Sequence, residues 1–226
     1  MALTLHYHPL SSFCHKVLVA LHELGVPFEG RLLDLGDAAQ REAFHRLWPT
    51  GKMPLLVDDG EVVPESSIII EHVATRHAWS QTLLPADPRE QLEVRLYDRI
   101  FDQYVMQPMQ AAVADRLRQA GERDPLAVAA ARRTLAMAYG LLDQRMEGRE
   151  WAAGRDFSMA DCAAAPSLFF AATIEPFAPG QRHLAAYLAR LLERPSVARV
   201  LDEARPYFRF YPVRENLPAA YRPAGA

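Results

Sequence analysis

The stretch Thr50-Gly51-Lys52-Met53-Pro54-Leu55-Leu56-Val57-Asp58-Asp59-Gly60, followed by Pro64-Glu65-Ser66-Ser67-Ile68, decides how this chain folds. An X-Pro bond between a glycine turn and an apolar strand is a good candidate for a cis peptide, a form that folded proteins keep mostly in tight turns. Such a turn leaves the N–H and C=O of Met53 open to something extended, as a neighbouring strand would be. Asp58-Asp59-Gly60 is flanked by Leu55–Val57 and Glu61–Val63, which is a hairpin signal. Glu65-Ser66 then offers a carboxylate and a hydroxyl at a helix start, a setting suited to the ammonium and carboxylate of an amino acid. A peptide with an α-amino acid head satisfies both halves of that description.

Working outward, the first part of the chain alternates short strand-like and helix-like segments. Leu3 to His8 reads as a strand. Ser12 to Leu24 reads as a helix, with Phe13, Val17, Leu21 and Leu24 at helical spacing and Gly25 with Pro27 as its stop. Phe28 to Leu35 reads as a second strand, and Asp37 can cap a helix that ends at Trp48-Pro49. Ser66 or Ser67 opens a further helix to about His77. The order βαβ-α-ββα predicts a mixed four-stranded sheet with helices on both faces, a thioredoxin-like α/β domain over residues 1–80. Residues 81–88 read as a linker, because Pro85 and Pro88 interrupt a run without apolar periodicity.

Residues 89–226 read as an all-α bundle domain. Helical patterns cover Arg89–Ala120, Pro125–Met146, Ser158–Thr173, His183–Glu193 and Ser196–Ala204. Asp124-Pro125 is a cap followed by proline at the first helical position. Ser158-Met159-Ala160-Asp161 resembles a capping box, with Phe157 and Cys162 as its hydrophobic staple. Both Ser158 and Asp161 are therefore expected to be structural.

Composition excludes several classes. A net charge of -3 over 226 residues argues against a nucleic-acid binder, which usually carries a basic face. No apolar run approaches the ~20 residues of a membrane span, and the start Met1-Ala2-Leu3-Thr4-Leu5-His6 lacks the pattern of a signal peptide. Cys14 and Cys162 have neither disulfide-framework nor zinc spacing, so a reducing, cytoplasmic setting is expected. Strand alternation explains His6 and His8, and no metal site is expected.

Chemistry concentrates in Pro9-Leu10-Ser11-Ser12-Phe13-Cys14-His15-Lys16-Val17, between the first strand and the first helix. Amides at a helix N-terminus stabilise an anion resting there. A free thiol with pKa near 8.5 is only about 3% thiolate at pH 7, and lowering that pKa by about two units raises the fraction to roughly three quarters. A hydroxyl donating to the sulfur, together with the helix terminus, can supply that shift. Ser11 sits where such a donor belongs. Taken alone, Ser11 or Ser12 also reads as a helix N-cap, Cys14 as a small core residue, and Glu65-Ser66 as an ordinary helix start.

The chain resembles the soluble glutathione transferases over nearly its full length. Strand–Ser11-Ser12-Phe13-Cys14–helix, Gly51-Lys52-Met53-Pro54-Leu55, Glu65-Ser66-x-x-Ile69 and Phe157-Ser158-Met159-Ala160-Asp161 stand in that family's order and spacing. The resemblance implies a homodimer that uses glutathione as cosubstrate and has no tightly bound cofactor. It further implies transfer of the glutathione thiol to a small apolar electrophile, held between the two domains. Met53, beside Pro54, would pair its backbone with the cysteinyl part of the peptide. Glu65 and Ser66 would hold the γ-glutamyl end, and Lys52 would reach toward the glycine carboxylate. For the thiol-activating group, Ser11 matches the serine-type classes, with Tyr7, Ser12 and Cys14 as alternatives. Leu10, Tyr104 and Met109 are candidates for the electrophile pocket. The same site would also serve peroxide reduction or isomerisation, and a non-catalytic glutathione- or ligand-binding protein is the reading from another class. Trp48-Pro49 stands where many relatives have Asn-Pro, a departure beside the glycine end of the peptide.

Overall fold

The computed structural model describes residues 3–34, 36–78 and 82–223. Leu35, at the expected end of the second strand, and residues 80 and 81, at the expected domain boundary, lie outside them. The chain divides into two compact units, one ending at Leu83 and the other beginning at Leu84.

The first unit runs β1 (Leu3–Tyr7), α1 (Ser12–Leu24), β2 (Glu29–Leu32), α2 (Ala38–Leu47), β3 (Leu55–Asp58), β4 (Glu61–Pro64) and α3 (Ser66–Arg76). The sheet order is β2-β1-β3-β4, with β1 parallel to β2 and antiparallel to β3, and β3 antiparallel to β4. In this mixed thioredoxin-like sheet Leu5 lies opposite Leu56, and Leu56 opposite Val63, so the central strands share an apolar layer. Strand alternation puts His6 on the other face of β1 from Leu5 and Tyr7. His6 meets Phe44 of α2 there, with ring centroids 5.8 Å apart. Around Phe44 the small core of Leu33 and Leu55 gathers Trp48, Met53 and Val62.

The local stops follow the chemistry of the chain. At the end of α1, Gly25 takes φ +64, where a side chain would be strained. From there Val26 N–H donates back to Leu21 C=O at 3.1 Å. The Asp37 carboxylate accepts from Ala39 and Gln40 N–H at the start of α2. β2 is shorter than expected and exposed throughout, as befits a polar edge strand.

The second unit contains α4 (Pro88–Ile100), α5 (Gln107–Leu117), α6 (Pro125–Met146), α7 (Met159–Ala171), α8 (Arg182–Glu193) and α9 (Pro195–Ala204), then short helical turns. One expectation needs correcting. The helix foreseen over Arg89–Ala120 widens into a π-helical turn at Phe101–Met106 between α4 and α5, and α5 ends at Leu117. Pro108 supplies a physical reason: it has no N–H to return to the carbonyl of Tyr104, one turn back.

Every residue of α7 is buried. Its start is the expected capping box, and Asp161 does more than close it. Its carboxylate accepts from Ser158 N–H at 2.8 Å, from the Ser158 hydroxyl at 2.9 Å and from Ala152 N–H at 2.9 Å. The Tyr187 hydroxyl of α8 donates to it as well. The aromatic tail packs on α7: Phe208 lies against Phe169 and Phe170, and Tyr211 meets the Thr173 hydroxyl at 2.9 Å.

Candidate active site

The turn from β1 into α1 is held from both sides. Ser11 N–H donates to His8 C=O at 3.0 Å, and Leu10 N–H donates to His8 Nδ1 at 3.1 Å. From within α1, the fully buried His15 ring lies 2.6 Å from Pro9 C=O through Nε2. Burial drives the His15 pKa down to about 4, so the ring is neutral at pH 7 and Nε2 carries the donated proton. Ser11 is the N-cap: its Oγ accepts from Cys14 N–H at 3.4 Å, a long bond. Capping uses a lone pair of the hydroxyl and leaves its proton available to a sulfur in front of the helix. The two readings of Ser11, cap and thiol-activating group, are thus compatible in one geometry.

The alternatives differ in setting. Cys14 has no exposed surface, and burial pushes its thiol up to about 12 against the weaker pull of the Ser11 hydroxyl and the His8 backbone. A thiolate is therefore scarce there. Ser12 is buried at the first position of α1. The Tyr7 ring lies over Gly30 of β2, where an added Cβ would stand 3.1 Å from Cε1.

The second wall is the turn into β3. The Met53-Pro54 peptide is cis. The Met53 side chain packs on the Phe44 cluster, while among the described residues its backbone groups have no hydrogen-bond partner. Gly51 takes φ +64, and a Cβ there would stand 2.2 Å from His45 Cε1, so this approach requires glycine. A cavity of about 60 Å³ lies beside it, lined by Leu33, Asp34, Arg41, Phe44, His45 and Gly51. Lys52, next along, is exposed.

Glu65 and Ser66 form the third wall. Glu65 is the N-cap of α3 yet makes no side-chain capping bond, and it holds φ +68, a region non-glycine residues seldom enter. Ser66 is buried, and among the described residues its hydroxyl has no partner. The neighbouring Ser67 accepts from Nζ of the fully buried Lys16 at 2.9 Å, which ties the start of α3 to α1. The first unit thus presents one hydroxyl at a helix start, an open backbone edge, and a carboxylate with a hydroxyl at a second helix start.

The chain matches the glutathione S-transferase N-terminal domain over residues 5–82 and the glutathione S-transferase C-terminal domain over residues 96–195. FtsZ-localized protein A of Caulobacter vibrioides is 32% identical over 73% of this chain and 75% of its own. This chain belongs to the glutathione S-transferase family. A glutathione S-transferase of Pseudomonas putida is 29% identical over 70% of each chain. A crystal structure of a glutathione S-transferase from Methylobacillus flagellatus with glutathione bound superimposes with TM-score 0.80 at 26% identity, covering 88% of this chain and 98% of its own.

In this member of the family the candidate pocket residues part company. Leu10 is half-buried at the α1 turn and Tyr104 is exposed on the π-helical turn. Met109 is 3% exposed, a core residue of the helical unit together with Phe101, Val105 and Met106. Sequence reasoning missed three features of the first unit. Lys16 and His15 carry no sign in their spacing that both would be buried. Arg41 and His45, beside the Gly51 cavity, become visible only once α2 is folded back on the Met53 turn. Asp58, His72 and His77 meet although nothing in their spacing announces it.

Proposed function

We propose that the protein is a glutathione transferase that binds the peptide along the Met53 edge and activates its thiol at Ser11. What supports this most is the coincidence, within one unit of a glutathione S-transferase family member, of a Ser11 N-cap with the Met53 edge and the Glu65-Ser66 helix start. In this reading Met53 pairs its backbone with the cysteinyl part, Glu65 and Ser66 hold the γ-glutamyl head, and Lys52 attracts the glycine carboxylate. The Ser11 hydroxyl donates to the sulfur, and the first amides of α1 favour its negative charge. The thiol gives its proton to water, and the thiolate forms a C–S bond to an electrophilic carbon. The electrons leave with the displaced group in substitution, or take up a proton in addition. Leu10 and Tyr104 would contribute to the wall for the apolar electrophile. The working form is a homodimer in the reducing cytoplasm.

Ser11→Ala tests the assignment. Turnover with a chromogenic electrophile is expected to fall by about tenfold or more while glutathione affinity stays within a few-fold, the signature of an interaction made mainly in the transition state. Unchanged turnover would move the role to Tyr7. A second reading gains support from the relative named FtsZ-localized protein A: a family member that holds glutathione or a protein partner without turnover. The thiolate absorbance of bound glutathione separates the two. Its pKa is expected to fall by about two units for the transferase and to remain at the free value for a binding protein.

A further inference from the structure

At the opposite end of β3 and α3 from Met53 and Ser66, three ligand-bearing side chains converge. Asp58 ends β3, His72 lies within α3, and His77 is the α3 C-cap. Both imidazoles reach the same carboxylate oxygen: His72 Nε2 and His77 Nε2 are each 2.8 Å from Asp58 Oδ2. The three ligand atoms lie within 4.8 Å of one another. Asp58 is 6% exposed and the two imidazole side chains are 11% and 12% exposed. A nearly buried carboxylate normally faces a cation. Arg76, next to His77 in the chain, is instead paired with Glu61 at 2.7 Å.

We propose that Asp58, His72 and His77 form a binding site for a divalent first-row transition ion, typified by Zn²⁺. Two imidazole nitrogens and one carboxylate oxygen are an ordinary zinc donor set, with bonds of about 2.0–2.2 Å and donor atoms about 3.4 Å apart in a tetrahedron. The two N···O separations of 2.8 Å need to open by only a fraction of an ångström, and the imidazole nitrogens already lie within 4.8 Å of each other. Each imidazole moves its proton to Nδ1 and presents the Nε2 lone pair, so neutral rings need lose no proton. The residual exposure of both rings gives the ion a route in and leaves its fourth position to water. The ion takes the place of the two imidazole N–H donors at the Asp58 carboxylate, and it clips the β3–β4 hairpin to the last turn of α3.

The test uses the full-length, tag-free protein, stripped with chelator and titrated with Zn²⁺ by calorimetry and with Co²⁺ by visible absorption. One equivalent is expected to bind, with a tetrahedral Co²⁺ band and a rise in thermal midpoint. His77→Gln keeps a hydrogen-bond donor for Asp58 but removes a ligand, and is expected to weaken Zn²⁺ by at least about tenfold. Circular dichroism of this variant checks that it folds, and Asp58→Asn gives an independent removal of a ligand. Absence of one-equivalent binding, or affinity unchanged in both folded variants, would overturn the proposal. Neither outcome bears on the glutathione site, which shares none of these residues.

Discussion

Glu65 and His15 show how much of the candidate site rests on single unusual residues. Glu65 holds a backbone conformation that costs about 1–3 kcal/mol for a side-chain-bearing residue, and it makes no capping bond in return. Strain kept without a local benefit is what a ligand-holding role predicts. Glu65→Gly should therefore stabilise the protein by about 1 kcal/mol relative to Glu65→Ala, while both weaken glutathione binding. Equal stability of the two variants would remove the strain argument, and unchanged affinity would remove the γ-glutamyl assignment. His15 acts through pH. Its folded pKa of about 4 lies below the ordinary value of 6.5, so between those values the unfolded chain binds a proton that the folded one does not. The stability it contributes is present above pH 6.5 and lost as pH falls toward 4, about 3 kcal/mol in all. Chemical denaturation at pH 7 and pH 4.5 should show His15→Gln losing about 2–3 kcal/mol less than the parent across that interval. Parallel losses would mean that the imidazole is not the titrating group.

Among the elements, α7 depends most on one side chain. The Asp161 carboxylate is fully buried, and burial pushes its pKa upward against four hydrogen bonds from Ala152, Tyr187 and Ser158. Removing it strands those donors in a dry interior. Asp161→Ala should cost about 3–5 kcal/mol, read as a lowered denaturation midpoint in the helical unit. A loss below about 1 kcal/mol would mean that water replaces the carboxylate there. The π-helical turn makes a contrasting point. Helical periodicity runs unbroken through Phe101–Met106, and only Pro108, one turn after Tyr104, hints that the ladder must widen.

Across the whole molecule, the legible features were those with a short-range cause. Gly25 after an apolar helix, Asp58-Asp59-Gly60 between Leu55–Val57 and Glu61–Val63, and Ser158 three residues before Asp161 each carry their own geometry, and the elements fall where they point. The thioredoxin-like sheet and the helical domain follow from their order. β2 was overextended because its residues line an exposed edge and bury no alternating face. The Asp58–His72–His77 cluster escaped notice for a related reason. Residues five apart on a helix point about 140° from each other, and His77 meets His72 only because the chain leaves the helix there. Ser11 and Glu65 stand at the helix starts, and Met53 at the turn, that the sequence predicts, whereas the packing of Lys16 under Ser67 and of His15 under Pro9 depends on contacts the sequence does not display. The burial of α7 has one more implication, for how such a protein changes over generations. Neutral drift requires a side chain with a face to solvent, and the thirteen residues of α7 have none. Variation in the helical unit must accumulate on the outer faces of its other helices, around an axle that admits almost no rewriting.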